Sequence, residues 1–238
     1  MATVKTQIAQ VANFMKVAGQ ATHTSSVGVS LGVAKLRHTL ITEEISGKNE
    51  FAYCAERDDL VGMLDGMCDI LYVVYGAALT FGVDLTGEYA TLGNPTAPSK
   101  ANGTLASAND TLSAIHNLEY DAEQFKYGYS QGYYSTILSS LANLVKHVYD
   151  YAELIQVDLA GAFDEVHKSN MSKFDSTEEA AERSLAIRQE SGDEKYLSAY
   201  VDMVVVDGVE HWMIKRTEDN KILKCMGFFE PDLSKFVK

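Results

Sequence analysis

The chain has 238 residues, 46% of them apolar, enough to fill one large domain or a core with an embellishment. Its formal net charge of −13 argues against a nucleic-acid surface, because binding to a phosphate backbone is dominated by clustered Lys and Arg. The N-terminal MATVKTQIAQVANFMKVAGQ lacks the charged-then-apolar form of a signal peptide, and no uninterrupted stretch reaches the ~18 apolar residues of a membrane span. These features predict a soluble, cytoplasmic protein with no membrane partner. Cys54, Cys68 and Cys225 are odd in number and lack CxxC spacing, which argues against a disulfide framework or a zinc site and for small core residues.

The three prolines stand at positions 95, 98 and 231, so most of the chain is free to run as helix. From about Val27 to Glu56, Leu36, Leu40, Ile41 and Ile45 recur at spacings of three and four, the stripe of one amphipathic helix. After the RDD turn, Asp58 or Asp59 caps a helix over Leu60 to Phe81, apolar nearly all round and stopped by Gly82. Residues 86–107 are rich in Gly, Pro, Ala, Ser and Thr and read as a long loop. Further helices are predicted over Tyr133 to Ile155, Leu159 to His167 and Ser176 to Gln189, the last with Thr177, Glu178 and Glu179 in its first turn. KYGYSQGYY, residues 126–134, reads as packing between helices rather than as a base-stacking surface. After Gly192, β-branched and aromatic residues with turn signals at Asp207-Gly208 and Asp219-Asn220 predict a hairpin or a three-stranded sheet. Val83-Asp84-Leu85 recurs as Val157-Asp158-Leu159, which raises the prospect that residues 86–156 are an insertion.

The strongest chemical signal is carboxylates among apolar neighbours: Glu43, Glu44 and Glu50 on one helical stretch, Asp65 and Asp69 on the next. Glu43 and Glu50 are seven apart and Asp65 and Asp69 four apart, so each pair shares a helix face, and an antiparallel arrangement would bring the faces together. Buried charges are costly unless paired or bound to metal, and several carboxylates facing one cavity are relieved most simply by a hard cation with oxygen ligands. The competing reading is that each acid caps a turn, pairs with a base or lies on a solvated stripe. A second constellation is EVHKSNMSK, where Lys168, Asn170, Ser172 and Lys173 offer donors to phosphate, sugar or base, although alone it is an ordinary polar helix end. His167 reads as structural, and Lys215, Arg216, Lys221 and Lys224 as solvated charges unless the C-terminal strands fold over the cleft. GxxxxGK[ST], GxSxG, HExxH and a usable GxGxxG are absent.

LITEEISGKNEF followed by DDLVGMLDGMCDILYVVYGAALTFG, then AFDEVHKSNMSKF and DNKILKCMGFFEPDL, resembles the phage and bacterial branch of the MazG-like and phosphoribosyl-ATP pyrophosphohydrolase-like proteins, over roughly residues 10–85 and 157–235. The resemblance implies an all-α, mainly helical fold: a four-helix-bundle core from 1–85 and 157–190, a loop and helical insertion over 86–156, and a small C-terminal β-hairpin over 191–238. It implies self-association as a dimer or tetramer, and magnesium-dependent hydrolysis, with manganese as an alternative, of a nucleoside or deoxynucleoside triphosphate to monophosphate and pyrophosphate. A phage-encoded chain would act in the host cytoplasm.

Carried over, the family's EExxE acids fall on Glu43 and Glu44. Gly47 stands at the third position, so either Glu50 takes that role or one ligand is missing. The ExxD motif meets Gly62, keeps Asp65 and has Asp69 a turn later. The metal set is then Glu43, Glu44, Glu50, Asp65 and Asp69, with Glu43 or Glu44 as the catalytic group that orients or deprotonates water. Asn170 and Lys173, with Lys168, would hold the nucleotide. Two rivals remain: a noncatalytic nucleotide sensor or partner-binding helical protein that has lost a ligand at one of the two glycines, and phosphoribosyl-ATP hydrolysis.

Overall fold

The computed structural model describes residues 3–87 and 102–238, so residues 88–101 of the expected loop lie outside the described residues. The protein is mostly helical, with a small antiparallel sheet. Its helices are α1 (Val4–Val17), α2 (Leu31–Ser46), α3 (Phe51–Ala55), α4 (Leu60–Phe81), α5 (Ala108–Gln131), α6 (Tyr134–Leu154), α7 (Leu159–Met171) and α8 (Glu178–Glu190), followed by β1 (Ala199–Val206), β2 (Val209–Arg216) and β3 (Ile222–Leu223). Two compact units are formed, one from residues 1–12, 22–166 and 232–238, the other from 13–21 and 167–231.

In the first unit the expected continuous helix from Val27 to Glu56 is two helices. The Ser30 hydroxyl accepts from Val33 N to start α2, and Gly47 ends it, donating to Glu43 O at 2.7 Å. Asn49 then takes a left-handed conformation at φ 70°, which Asn tolerates better than most side chains, and the chain re-enters helix at Phe51. α3 lies on α4 through a notch of two glycines. A Cβ at Gly66 would stand 2.8 Å from the backbone N and Cα of Phe51, and one at Gly62 would stand 2.5 Å from Cys54 Sγ. Phe51, fully buried, fills the space above the notch and meets Tyr151 edge-on at 5.5 Å.

α4 has the predicted bounds and caps: Asp59 accepts from Gly62 N at its start, and Gly82 closes it at φ 65°. Gly82 is also sterically required, because a Cβ there would fall 1.8 Å from Ser25 O. By length and mean hydropathy, 1.4, α4 matches a membrane-spanning helix even with its two aspartates, but 67% of that stretch is buried inside the protein. Its own Leu64, Met67, Ile70, Leu71, Val74 and Tyr75 are buried, as are Leu141, Leu144, Val145 and Val148 of α6 and Phe163 of α7. The Gln7 side-chain oxygen sits fully buried and accepts from both Tyr75 OH (2.9 Å) and Tyr149 OH (2.6 Å).

α6 matches its expected span within a residue at either end. α5 was not expected, and it supplies the buried Leu118, Ala122 and Phe125. Of the tyrosine-rich stretch, Tyr129 packs against Phe125 and His38, whereas Tyr127 and Tyr133 are half exposed and meet each other at the α5–α6 turn. The repeated Val-Asp-Leu has a local cause. Each copy follows a left-handed residue that ends a helix, Gly82 or Gln156, and each aspartate accepts from backbone amides of the next turn: Asp84 from Thr86 and Gly87, Asp158 from Gly161.

In the second unit, α8 starts from Thr177, whose hydroxyl accepts from Ala180 N, and has Glu178 and Glu179 in its first turn. The C-terminal part is a three-stranded sheet in the order β1-β2-β3. Asp207 and Gly208, both at positive φ (52° and 81°), make the tight turn between β1 and β2. Ile214, Leu223, Cys225 and Tyr196 form this unit's core, with Leu185, Ala199 and Phe228 against it.

Candidate functional site

Three helical segments of the first unit bring three acids together. Glu44 comes from the last turn of α2, Glu50 from the N-cap of α3 and Asp69 from the middle of α4, and their carboxylate oxygens lie within 4.8 Å of one another, each side chain half-buried. The break at Gly47 is what makes this set. A Cβ at Gly47 would fall 2.4 Å from Glu43 O and 3.0 Å from Glu50 Cγ, so the position where the motif calls for an acid is a helix stop with no room for one. The acid arrives three residues later, at an N-cap whose side chain makes no capping bond and is turned to the group with Glu44 and Asp69.

Of the remaining sequence-predicted acids, Asp65 is half-buried one turn before Asp69, and Glu43 is exposed. Neither belongs to the group of three. Gly62, where the second motif calls for Glu, is occupied by packing: a side chain would meet Cys54 Sγ and the Asp59 carboxylate that caps α4. The thiols record the acidity of the region. Burial pushes Cys54 up, reinforced by Asp59, Glu50 and Asp65. Burial likewise pushes Cys68 well up, reinforced by Asp69, Asp65 and Asp158. Asp158 is therefore a further carboxylate within electrostatic reach of this part of α4. Sequence reading noticed it only as part of the Val-Asp-Leu repeat, where its capping role hides it.

A set of three half-buried carboxylates from two helices and an N-cap is chemically suited to a hard divalent cation. Magnesium and manganese prefer such oxygen donors, and oxygens sharing one magnesium stand up to ~4.2 Å apart, close to the spacing here. The residues present are donors of the kind such an ion takes.

The SNMSK block lies in the second unit. α7 runs through Ser169 and Asn170 to Met171, past the expected end at His167, because the Ser169 hydroxyl turns back to Phe229 O (2.8 Å) and leaves the helix intact. Lys168 is exposed in the last turn. Lys173 Nζ donates to Asn170 Oδ1 at 2.6 Å, and Ser172 Oγ accepts from Phe229 N at 3.2 Å. A cavity of about 420 Å³ in this unit is lined by Asp175, Thr177, Arg183, Ser184, Ile187 and Met226 among others. Of the four basic residues read as solvated, Lys215 is instead mostly buried and paired with Asp202 at 2.7 Å, diagonally across the β1–β2 ladder, where Tyr200 stands directly opposite Lys215.

Comparison with known proteins places these features. Residues 11–95 match the phosphoribosyl-ATP pyrophosphohydrolase family, a pyrophosphohydrolase family acting on acid anhydrides and typically dependent on a divalent metal. The matched segment contains α2, α3 and α4, and with them Glu44, Glu50 and Asp69. An uncharacterized protein of Acanthamoeba polyphaga mimivirus is 29% identical over 210 residues, covering 84% of this chain and 81% of that protein. No solved structure matches. Residues 11–95 thus match the phosphoribosyl-ATP pyrophosphohydrolase family of the MazG-like nucleotide pyrophosphohydrolase superfamily, within a longer, mostly helical chain.

Proposed function

We propose that this protein is a magnesium-dependent nucleoside triphosphate pyrophosphohydrolase that cleaves between the α and β phosphates to give monophosphate and pyrophosphate. The observation that carries the reading is the convergence of Glu44, Glu50 and Asp69 within 4.8 Å, inside the segment that matches the family. These three carboxylates hold the cation, and Asp65, one turn from Asp69 on the same face, completes or supports the set. Bound magnesium supplies neutralisation of the phosphate charge and acidification of the attacking water. Glu43, exposed on α2 beside Glu44, orients that water and takes its proton as oxygen attacks phosphorus. The anhydride oxygen then leaves with pyrophosphate. In the second unit, Lys168, Asn170 and Lys173 are the candidate nucleotide-binding residues by their charge-assisted hydrogen-bonding capacity.

The same reading makes the helical core a four-helix bundle of the MazG-like kind that associates with a second copy as a dimer or tetramer. Leu31, Val33 and Leu36, apolar and exposed on α2, support association. A second reading, phosphoribosyl-ATP hydrolysis, is favoured by the description of the matched family itself.

The test is pyrophosphate release over a panel of nucleoside and deoxynucleoside triphosphates and phosphoribosyl-ATP, in magnesium and in chelator. Magnesium-dependent release from a triphosphate supports the first reading. Release from phosphoribosyl-ATP alone supports the second, and binding without release from any substrate leaves a nucleotide sensor.

A further inference from the structure

The cavity of the second unit runs beside α8, and the residues around it lie outside the segment 11–95 that matches the family. Its floor is tied together by hydrogen bonds. Asp175 is fixed to β2 by two backbone bonds, its N donating to Trp212 O (2.7 Å) and its O accepting from Trp212 N (2.9 Å). Ser184, buried in the middle of α8, accepts from Met226 N at 3.1 Å and donates to Asp175 Oδ2 at 3.4 Å. Asp175, α8 and Met226 are thereby held to one another, with about 420 Å³ open between them, a volume in the range of small-molecule sites.

The lining changes character along the helix. Near its start are two carboxylates, Asp175 and Glu179. Burial pushes the Asp175 carboxyl up from its ordinary range, and the groups that hydrogen-bond to it, the Cys225 thiol and the Ser184 hydroxyl, are neutral. A part-buried carboxylate without a cation is costly, and an ammonium group placed against it removes that cost. One turn further on, Arg183 lines the same cavity. Glu179 stands four residues before it, the spacing at which ion pairs form readily on a helix, yet among the described residues Arg183 has neither an ion pair nor a hydrogen-bond partner. Arg183 is also not among the charges that act on Asp175, so the guanidinium and the carboxylate stand apart in the cavity with room between them. A guanidinium so placed is a ready partner for a carboxylate. Beyond it the wall is apolar, with Ile187 and Met226 both exposed. From Thr177 to Ile187 the helix rises about 15 Å, so the acidic, basic and apolar parts follow one another within the length of a small ligand.

We propose that this cavity binds a small zwitterion, an ammonium and a carboxylate on one short aliphatic skeleton, as in an aliphatic amino acid. The ammonium sits against Asp175 and Glu179, the carboxylate on Arg183, and the aliphatic part on Ile187 and Met226. A ligand without net charge is not repelled by a chain of formal charge −13, as a free carboxylate would be. The site rests on the second unit alone and stands whichever reading of the acidic group is right.

Calorimetric titration of the full chain in chelator tests it, with leucine, isoamylamine and isocaproate as probes: one skeleton carrying both charged groups, the ammonium alone and the carboxylate alone. Leucine is expected to bind, and each of the other two to bind at least about ten-fold more weakly, the worth of one charge-assisted bond. Asp175→Asn and Arg183→Gln should each weaken leucine about ten-fold. Arg183→Gln should leave isoamylamine unchanged, a split that a general loss of structure would not produce. Asp69→Asn should leave leucine binding unchanged, which separates this site from the acidic group. Arg183 is exposed, so its variant decides the matter if Asp175→Asn melts early. Absence of leucine binding, either single-charge probe binding as tightly as leucine, or an unchanged leucine affinity in Arg183→Gln would overturn the proposal.

Discussion

Asp69→Asn probes the acidic group with an isosteric loss of one charge, and it should act in opposite directions with and without metal. At an effective dielectric near 20, two unit charges 4.8 Å apart repel by about 3.5 kcal/mol, against about 0.9 kcal/mol in bulk water. For half-buried side chains the cost falls between these limits, and Asp69 contributes it against both Glu44 and Glu50. Solvent reaching these half-buried groups screens much of that, so we expect Asp69→Asn in chelator to gain about 1 kcal/mol, or about 2–4 °C in melting temperature for a chain of this size. In millimolar magnesium the wild type should rise by mass action on the folded state, and the variant should lose most of that rise together with turnover. Melts recorded in both buffers decide it. A variant that melts lower than wild type in chelator, or that keeps the full magnesium increment, would show that Asp69 is structural and that the acids do not share an ion.

Gly66→Ala drives a methyl group against the Phe51 backbone at 2.8 Å, so α3 must shift and carry Glu50 with it. Overpacking of about 1–3 kcal/mol outweighs the helix-propensity gain of about 1 kcal/mol, and urea unfolding should show a net loss alongside reduced turnover; unchanged stability would mean the notch is loose. Gln7→Leu removes the acceptor shared by Tyr75 and Tyr149 and should cost about 1–3 kcal/mol in the same assay. Asp219 is held down to about 2 by its hydrogen bonds from the Arg216 guanidinium, aided by the Lys221 amide. Its folded value lies below its ordinary 3.8, so its small stabilising effect is complete above that value and is lost as pH falls from about 4 towards 2. A carboxyl NMR titration should show this midpoint, and Arg216→Gln should return it towards the ordinary range.

The elements that were legible in the sequence are those whose ends carry their own signal. α4 announces itself by Asp59 and Gly82, α8 by Thr177 with two glutamates after it, and the β1–β2 turn by Asp-Gly. α5 was missed because its buried residues, Leu118, Ala122 and Phe125, form a thin stripe in an otherwise polar sequence, and its hold on the fold comes from packing against α6. α7 was drawn too short because Ser169 and Asn170 read as helix-ending residues. The bond from Ser169 to Phe229 depends on a segment sixty residues away. Of the five candidate acids, the sequence placed Asp69 and Glu44 on facing helices, but it could not separate Glu43 from Glu44, since adjacent positions diverge by about 100° around a helix and only packing says which side is inside.

The two glycines that interrupt the acidic motifs bear on whether the chain has lost a site or rebuilt one. Had Gly47 and Gly62 been simple losses, the space of an acid would stand open at each position. Instead Gly47 is a helix stop with Glu50 Cγ 3.0 Å from where its Cβ would be, and Gly62 is filled by Cys54 and Asp59. The stop releases the chain to turn through Asn49. The turn lowers α3 onto the Gly62–Gly66 notch, and the seating of Phe51 there sets the direction of Glu50. Glu is a poor N-cap residue, and here its side chain caps nothing, so local helix stability gives no reason for it to occupy this position. The cost is small in a five-residue helix held by packing, and it leaves the carboxylate turned towards Glu44 and Asp69. The structural devices at Gly47, Asn49, Gly62 and Gly66 thus all serve the placement of one acid. That placement is what the proposed cation site requires.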